Sequence, residues 1–253
     1  MRACNNAELP GTRKSFLIDE QAVGWVPARI AAALADMPGV RCLRDQVLLD
    51  EPATLPAIAH ALAERGYYRW RNEAFDVRAR PWGPVLARID RGALPSFGIQ
   101  AAGVHVNGLV RRRDGLHLWV ARRARDKHLD PGKLDNIVAG GVPAGLGLME
   151  TLIKEAAEEA AIPPDLAAAA LRVGVIEYAM ERPEGLRRDI LYCYDLSLPE
   201  DFVPVVTDGE VEAFELWPIS RVVETVRDTD DFKFNVDLVL IDLFLRLGLI
   251  AEA

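Results

Sequence analysis

Apolar residues recur at different spacings in the two parts of this chain. Over residues 1 to about 98, "GWVPARIAAALADM" and "ATLPAIAHALAERG" carry apolar side chains at helical spacing. Between them "VRCLRDQVLL" predicts a strand, so this part reads as a small α+β unit spanning residues 1–98. The Gly- and Pro-broken "WGPVLARIDRGALPSFGI" predicts a linker into the rest.

Beyond it the pattern turns to strands. "GVHVNGLVRRRDGLHLWVARR" is two β-rich runs, with Asp114-Gly115 expected to supply the positive φ of a tight hairpin turn. "KLDNIVAGG" adds a strand, "LRVGVIEYAM" and "DILYCYDLSL" a second hairpin, and "VEAFELWPI" another strand. In "FNVDLVLIDLFLRLGLI", Val236, Val239, Leu240, Leu243, Phe244 and Leu247 keep helical spacing. Asp237, Asp242 and Arg246 interrupt it, which predicts a packed amphipathic helix and no membrane span. Residues 99–253 thus read as a second, larger α+β domain.

Composition narrows the possible partners. A chain of 253 residues, half of them apolar, can bury a sizeable core, and a net charge of −8 without a basic stripe argues against a nucleic-acid partner. The opening "MRACNNAELPGTRKSFLIDE" lacks the apolar core of a secretory signal and no run is long enough for a membrane helix, so a cytoplasmic protein without a membrane partner is expected. Cys4, Cys42 and Cys193 form no CxxC pair, which argues against a disulfide framework and a zinc site. Cys42 and Cys193 sit in apolar runs that predict burial. His60, His105, His117 and His128 show no metal-ligand spacing.

The chemistry concentrates in "GGVPAGLGLMETLIKEAAEEAAIPP", residues 140–164, where a glycine-broken loop precedes a helix bearing Glu150, Glu155, Glu158 and Glu159 and ended by Pro163 and Pro164. At 100° per residue Glu155, Glu158 and Glu159 share one sector, and Met149, Ile153, Ala156 and Ala160 line the opposite side. Like charges so placed repel, and hard cations such as Mg²⁺ or Mn²⁺ prefer carboxylate oxygens and share them with substrate phosphates. A solvated acidic face is the alternative. Glu150 precedes Lys154 by four residues, the favoured orientation for a helical ion pair.

This stretch resembles the Nudix box: Gly, five residues, Glu, seven residues, Arg-Glu, an apolar residue, any residue, Glu-Glu, any residue, Gly and an apolar residue. Gly140, Glu155, Glu158, Glu159 and Ile162 match it, while Leu146, Lys154 and Ala161 replace its first glutamate, its arginine and its last glycine. Together with "DGEVE" and the closing helix, the chain is similar to the Nudix subfamily carrying a DUF4743 domain, over nearly all of residues 15–250. The resemblance implies a small α+β domain followed by a Nudix α/β/α sandwich with a mixed sheet. It implies a Mg²⁺- or Mn²⁺-dependent hydrolase of a small-molecule diphosphate, associated in this subfamily with thiamine diphosphate and its oxo and oxy forms.

On that resemblance Glu155, Glu158 and Glu159 hold the metal, Glu158 and Glu159 serve catalysis, and Gly140 and Gly141 let backbone approach the phosphates. Glu210, brought to a sheet edge by the Asp208-Gly209 turn, is the candidate general base, with Glu212 as rival. Arg123, Lys127, Lys233 and Asn235, along with Arg122 and Lys133, are candidate substrate contacts, and Trp82 is a candidate stacking surface near the domain junction. A nucleoside diphosphate derivative such as ADP-ribose or NADH, and a non-catalytic diphosphate-binding module, are the competing readings. Whether the chain forms a homodimer stays open.

Overall fold

The computed structural model describes residues 4–127, 129–207 and 209–251; His128 and Asp208 of the sequence reading lie outside them. The order is β1 (Lys14–Ile18), β2 (Gln21–Val26), α1 (Ala28–Leu34), β3 (Val40–Cys42), β4 (Gln46–Leu49), α2 (Leu55–Glu64), β5 (Ala74–Val77), β6 (Ala87–Asp90) and α3 (Leu94–Phe97). There follow β7 (Gln100–Arg112), β8 (Gly115–Arg123), β9 (Leu134–Asp135), β10 (Val138–Gly141), α4 (Leu148–Ala160), α5 (Pro164–Ala167), β11 (Leu171–Arg182), β12 (Gly185–Ser197), β13 (Val211–Pro218), α6 (Ile219–Asp228) and α7 (Val236–Arg246). None of the described helices is long and apolar enough to cross a membrane.

The first sheet runs β2-β1-β4-β3. "VRCLRDQVLL" is therefore a hairpin, Val40 to Cys42 pairing with Val47 to Leu49, and not the single strand expected. Phe16, Ile18, Val26, Ile30, Leu34, Leu55 and Leu62 close its core. The expected linker is also folded. It supplies β6 and α3, and Phe97, fully buried, meets Phe16 edge-on at 5.3 Å. Its Gly and Pro residues punctuate a short helix, with Pro95 in the first turn and Gly98 at φ +57° ending it.

The second sheet is mixed, with order β11-β12-β7-β8-β13 and a parallel β7–β12 pair. The β7–β8 hairpin turns through Arg113 and Asp114, one residue earlier than expected, so that only Gly115 takes a positive φ, +131°. Beyond their short pairing β7 and β8 diverge, and "KLDNIVAGG" splits to fill the gap: β10 pairs with β7 and β9 with β8. Alternation along the strands sends Val104, Val106, Trp119, Tyr192 and Leu196 to the face under α4. Leu118, Val120 and Trp217 go to the opposite face, with Val222 of α6 and Leu240 and Leu243 of α7, so helices cover the sheet on both sides. Helix α6 went unnoticed in the sequence. Cys193 and Cys4 are buried, whereas Cys42, against expectation, is exposed at an edge strand.

Helix α4 ends before the prolines. Ala161 takes φ +52° and its N–H reaches back to Ala156 O, so the left-handed turn usual for a glycine is made here by an alanine, and Pro163 and Pro164 instead open α5. A Cβ in that conformation is strained by roughly 1 kcal/mol, and Ala161 is exposed. Ala161→Gly should therefore raise stability by about 1 kcal/mol, read as a higher urea midpoint; a lower midpoint would contradict this account of the helix terminus.

Candidate active site

Helix α4 starts at Gly147, whose N–H donates to Glu150 Oε2 at 2.7 Å. Glu150 thus caps the helix and does not pair with Lys154 as its spacing suggested. Lys154 Nζ instead donates to Glu155 Oε1 at 3.1 Å and to Glu158 Oε2, holding two of the three box glutamates.

The acidic front is not uniform. Glu158 is exposed, Glu155 half-buried and Glu159 only 7% exposed. Glu159 lies one helix turn pair from Leu152 in azimuth, close enough to the buried stripe of Leu152, Ala156 and Ala160 to go under with it. There its Oε2 accepts from Ala139 N on the outer edge of β10, at 3.0 Å.

The two glycines do different work from that expected. Gly140 and Gly141 belong to strand β10, opposite Val104 and Gly103, and not to a loop. A Cβ on Gly140 would fall 2.5 Å from Glu155 Cγ and 2.7 Å from its Oε2, so the bare backbone makes the slot in which Glu155 lies. A Cβ on Gly141 would come within 2.7 Å of Phe75 Cζ, so that glycine seats a ring of β5. Of the expected loop glycines, Gly145 alone has a positive φ, +84°.

Burial raises the pKa of Glu155, opposed by Lys154 and reinforced by Glu158 and Glu210. Glu159 is pushed well above the usual carboxylate range, first by burial, against the Ala139 N–H, and further by Asp135, Glu155 and Glu210. Glu210 thus shares the electrostatic region of the helix. It sits just before β13, its backbone O accepts from Ala124 N at 3.0 Å, and its carboxylate pairs with Lys127. The rival, Glu212, accepts from Arg125 N at 3.2 Å. The loop before β13 also folds over α4, with Val205 N donating to Ala160 O and Thr207 Oγ1 to Glu158 O.

Three of the remaining candidates turn away from solvent. Asp135, buried between the diverging strands, accepts from Arg123 Nη1 at 2.8 Å and Lys233 Nζ at 3.3 Å. Burial acts to raise its pKa, but Lys233, His105 and Arg123 outweigh it and hold it below the usual value. Arg123 and Lys233 are therefore counter-charges within the fold, not free cations for a phosphate, and Asn235, buried, begins α7. The same centre continues from His105 Nδ1 to Asn136 Oδ1 at 2.9 Å, from Asn136 Nδ2 to Asn107 Oδ1 and from Asn107 Nδ2 to Asp195. Burial, helped by Lys233, pushes His105 down to about 4, so it is neutral there. Sequence reasoning missed this polar core; the signal was the polar Asp135-Asn136 step inside an otherwise apolar run.

Among the described residues no three His, Cys, Asp or Glu side chains are already arranged to hold a metal ion, Glu155 and Glu158 being drawn to Lys154. The donors nevertheless suit a hard divalent cation: they are oxygen only and clustered, and burial makes Glu155 and Glu159 hold a proton more readily than usual, a cost that a bound cation would relieve.

Residues 1–101 match the family model described as a domain of unknown function, DUF4743, and residues 102–237 match that of the NUDIX domain. The chain is similar to Nudix hydrolase 24, chloroplastic, of Arabidopsis thaliana, with 39% identity over 98% of this chain and 71% of the relative. It is similar to Nudix hydrolase 20, chloroplastic, of the same plant, with 36% identity over 98% and 71%. Among solved structures it is similar in fold to DR0079 of Deinococcus radiodurans, 19% identical, with a TM-score of 0.50 over 67% of this chain and 98% of that one.

Because Gly140 shapes the slot for Glu155, Gly140→Ala should displace that carboxylate and leave the fold standing. Calorimetric Mn²⁺ titration is expected to show a loss of about tenfold or more in affinity, with far-ultraviolet circular dichroism unchanged. Unaltered affinity would show that Glu155 does not depend on the bare strand.

Proposed function

The chain belongs to the Nudix hydrolase family, and from that premise we propose that it is a divalent-metal-dependent diphosphatase acting on thiamine diphosphate or its oxidised oxo and oxy forms. The observation that carries the catalytic part is the carboxylate group of α4: Glu159 buried on the edge of β10, Glu155 in the Gly140 slot and Glu158 beside it, with Glu155 and Glu159 within electrostatic reach of Glu210. Support for the substrate is narrower and comes from the pairing of a DUF4743 domain with a Nudix domain, the arrangement that the thiamine-associated subfamily resembles.

Glu155, Glu158 and Glu159 would hold Mg²⁺ or Mn²⁺, which when bound neutralises diphosphate oxygens and acidifies the attacking water. For Glu155 and Glu158 this means exchanging the Lys154 ammonium for the metal, leaving Lys154 close enough to meet a phosphate oxygen. Glu210 would take the proton of the attacking water on a carboxylate oxygen, with Lys127 stepping from Glu210 to the anionic substrate. Water adds to one phosphorus, the P–O–P bond opens, and thiamine monophosphate and inorganic phosphate leave.

Hydrolysis of oxothiamine, oxythiamine and thiamine diphosphates, set against ADP-ribose and NADH, with Mg²⁺ and with EDTA, tests the reading, with release of the monophosphate products from each substrate followed by chromatography. Metal-dependent release from the thiamine set with little from the nucleotides is expected; the reverse preference would move the enzyme to nucleoside diphosphate derivatives. Glu159→Gln should lower turnover by about 10³ or more, roughly 4 kcal/mol of transition-state stabilisation, at nearly unchanged stability. A variant that hydrolyses like the parent would remove Glu159 from the metal site.

A further inference from the structure

The β5–β6 hairpin of the N-terminal part does not stop at its own core. Phe75 packs on Gly141, Ala144 N donates to Ala74 O at 2.8 Å, and Gly145 N donates to Asp76 Oδ2 at 3.3 Å, so the hairpin buttresses the loop that leads into α4. Its connection, residues 78–86, reaches further across the second sheet. Gly83 N donates to Arg80 O at 3.0 Å, closing a turn with Pro81 second and Trp82 third.

Trp82 is unusual in two respects. Its φ is +63°, the conformation in which a turn ordinarily places glycine or asparagine. It is also 65% exposed, alone among the five tryptophans in being exposed. A bulky aromatic held in a glycine conformation at an open turn is a costly arrangement.

What lies beneath the indole gives it a use. Trp82 stands over Tyr192 with ring centroids 5.1 Å apart, and the two border an open cleft of about 470 Å³ that is also lined by Arg172, Val175, Glu177 and Ile190. Strand register ties this cleft to the carboxylates. Gly140 pairs with Val104, Val104 with Tyr192 and Tyr192 with Val175, so these positions form one row across the sheet on the face that α4 covers. Glu155 occupies the Gly140 end of the row, and Tyr192 lies two strands along, roughly 10 Å away at ordinary strand spacing. A ring joined to a diphosphate spans such an interval. The cleft walls are aromatic and aliphatic with two charged residues, Arg172 and Glu177, and Glu177 Oε2 is already held by Gln100 Nε2 at 3.1 Å.

We infer that the N-terminal domain completes the active site of the Nudix domain: Trp82 and the Tyr192 cleft bind the flat heteroaromatic ring of the substrate while the α4 carboxylates engage its diphosphate. The inference rests on the diphosphatase reading for the second half of the ligand. It makes Trp82 a residue that sets substrate preference, delivered from a domain that carries none of the metal-binding carboxylates.

The test uses the full chain as parent, Trp82→Phe and Trp82→Gly; glycine suits the turn, so its effect reports the ring and not the backbone. Thiamine diphosphate is titrated into each without metal, with tryptophan fluorescence as readout, and steady-state kinetics follow with Mg²⁺, using isopentenyl diphosphate as a non-aromatic comparator. The parent should show saturable quenching that Trp82→Gly loses. KM for the aromatic diphosphate should rise about tenfold or more in Trp82→Gly and much less in Trp82→Phe, with kcat within about threefold. Isopentenyl diphosphate should bind and react no better with the parent than with Trp82→Gly. Equal quenching in parent and Trp82→Gly, or a KM that stays within twofold, would overturn the ring site. If the parent hydrolyses neither diphosphate the catalytic reading fails, and the fluorescence titration still decides the ring site on its own.

Discussion

The contact between α4 and β10 is the constraint on which the rest of the site depends. A helix can lie on a strand closely enough for its carboxylates to touch backbone only where the strand presents no side chain, and Gly140 provides that opening beneath Glu155. One turn further on, the same approach carries Glu159 onto Ala139 N. Burial of Glu159 without a cation is unfavourable, as its raised proton affinity records. The surrounding fold supplies the compensation: the apolar packing of Leu152, Ala156 and Ala160, and a loop that satisfies the carbonyls of Glu158 and Ala160 at the helix end.

Charge is distributed so that the site keeps its acidity. Asp135 has the nearest strong cations, Arg123 and Lys233, bound to it in the divide between β7 and β8, and these cannot reach α4 without abandoning a buried carboxylate. Lys154 and Lys127, by contrast, are held in ion pairs with partly exposed carboxylates, which are more easily exchanged. The buried polar chain from His105 through Asn136 and Asn107 to Asp195 fixes the position of β9 and β10 relative to β7 and β12. It thereby sets where β10 meets α4.

Much of this was legible in the sequence, because it was written in local terms. The spacing of Gly140, Glu155, Glu158 and Glu159, the two hairpins and the closing helix all follow from short-range pattern. What was not legible depends on partners distant in the chain. Met149 and Ile153 read as the buried stripe, yet Leu152 and Thr151 are more buried, because β10 and the loop before β13 cover α4 from one side. The glycines and prolines around α3 read as a linker because the same residues that end loops also punctuate short helices. Arg123 and Lys233 read as candidate substrate contacts because the single strand expected over "KLDNIVAGG" hid the break at which Asp135, which neutralises them, is buried. Lys154, standing where the box has arginine, keeps the cationic role, and Ala161 keeps the backbone of the glycine it replaces.

On the proposed reading, side chains from successive turns of α4 converge on a divalent-metal site. Anomalous scattering from a crystal soaked with Mn²⁺ and a non-hydrolysable diphosphate analogue tests it most directly. The account predicts a single strong peak, or a close pair, bonded to oxygens of Glu155 and Glu159 and to the analogue, with Lys154 turned away from both. Manganese absent from these oxygens while the analogue is bound elsewhere would contradict it.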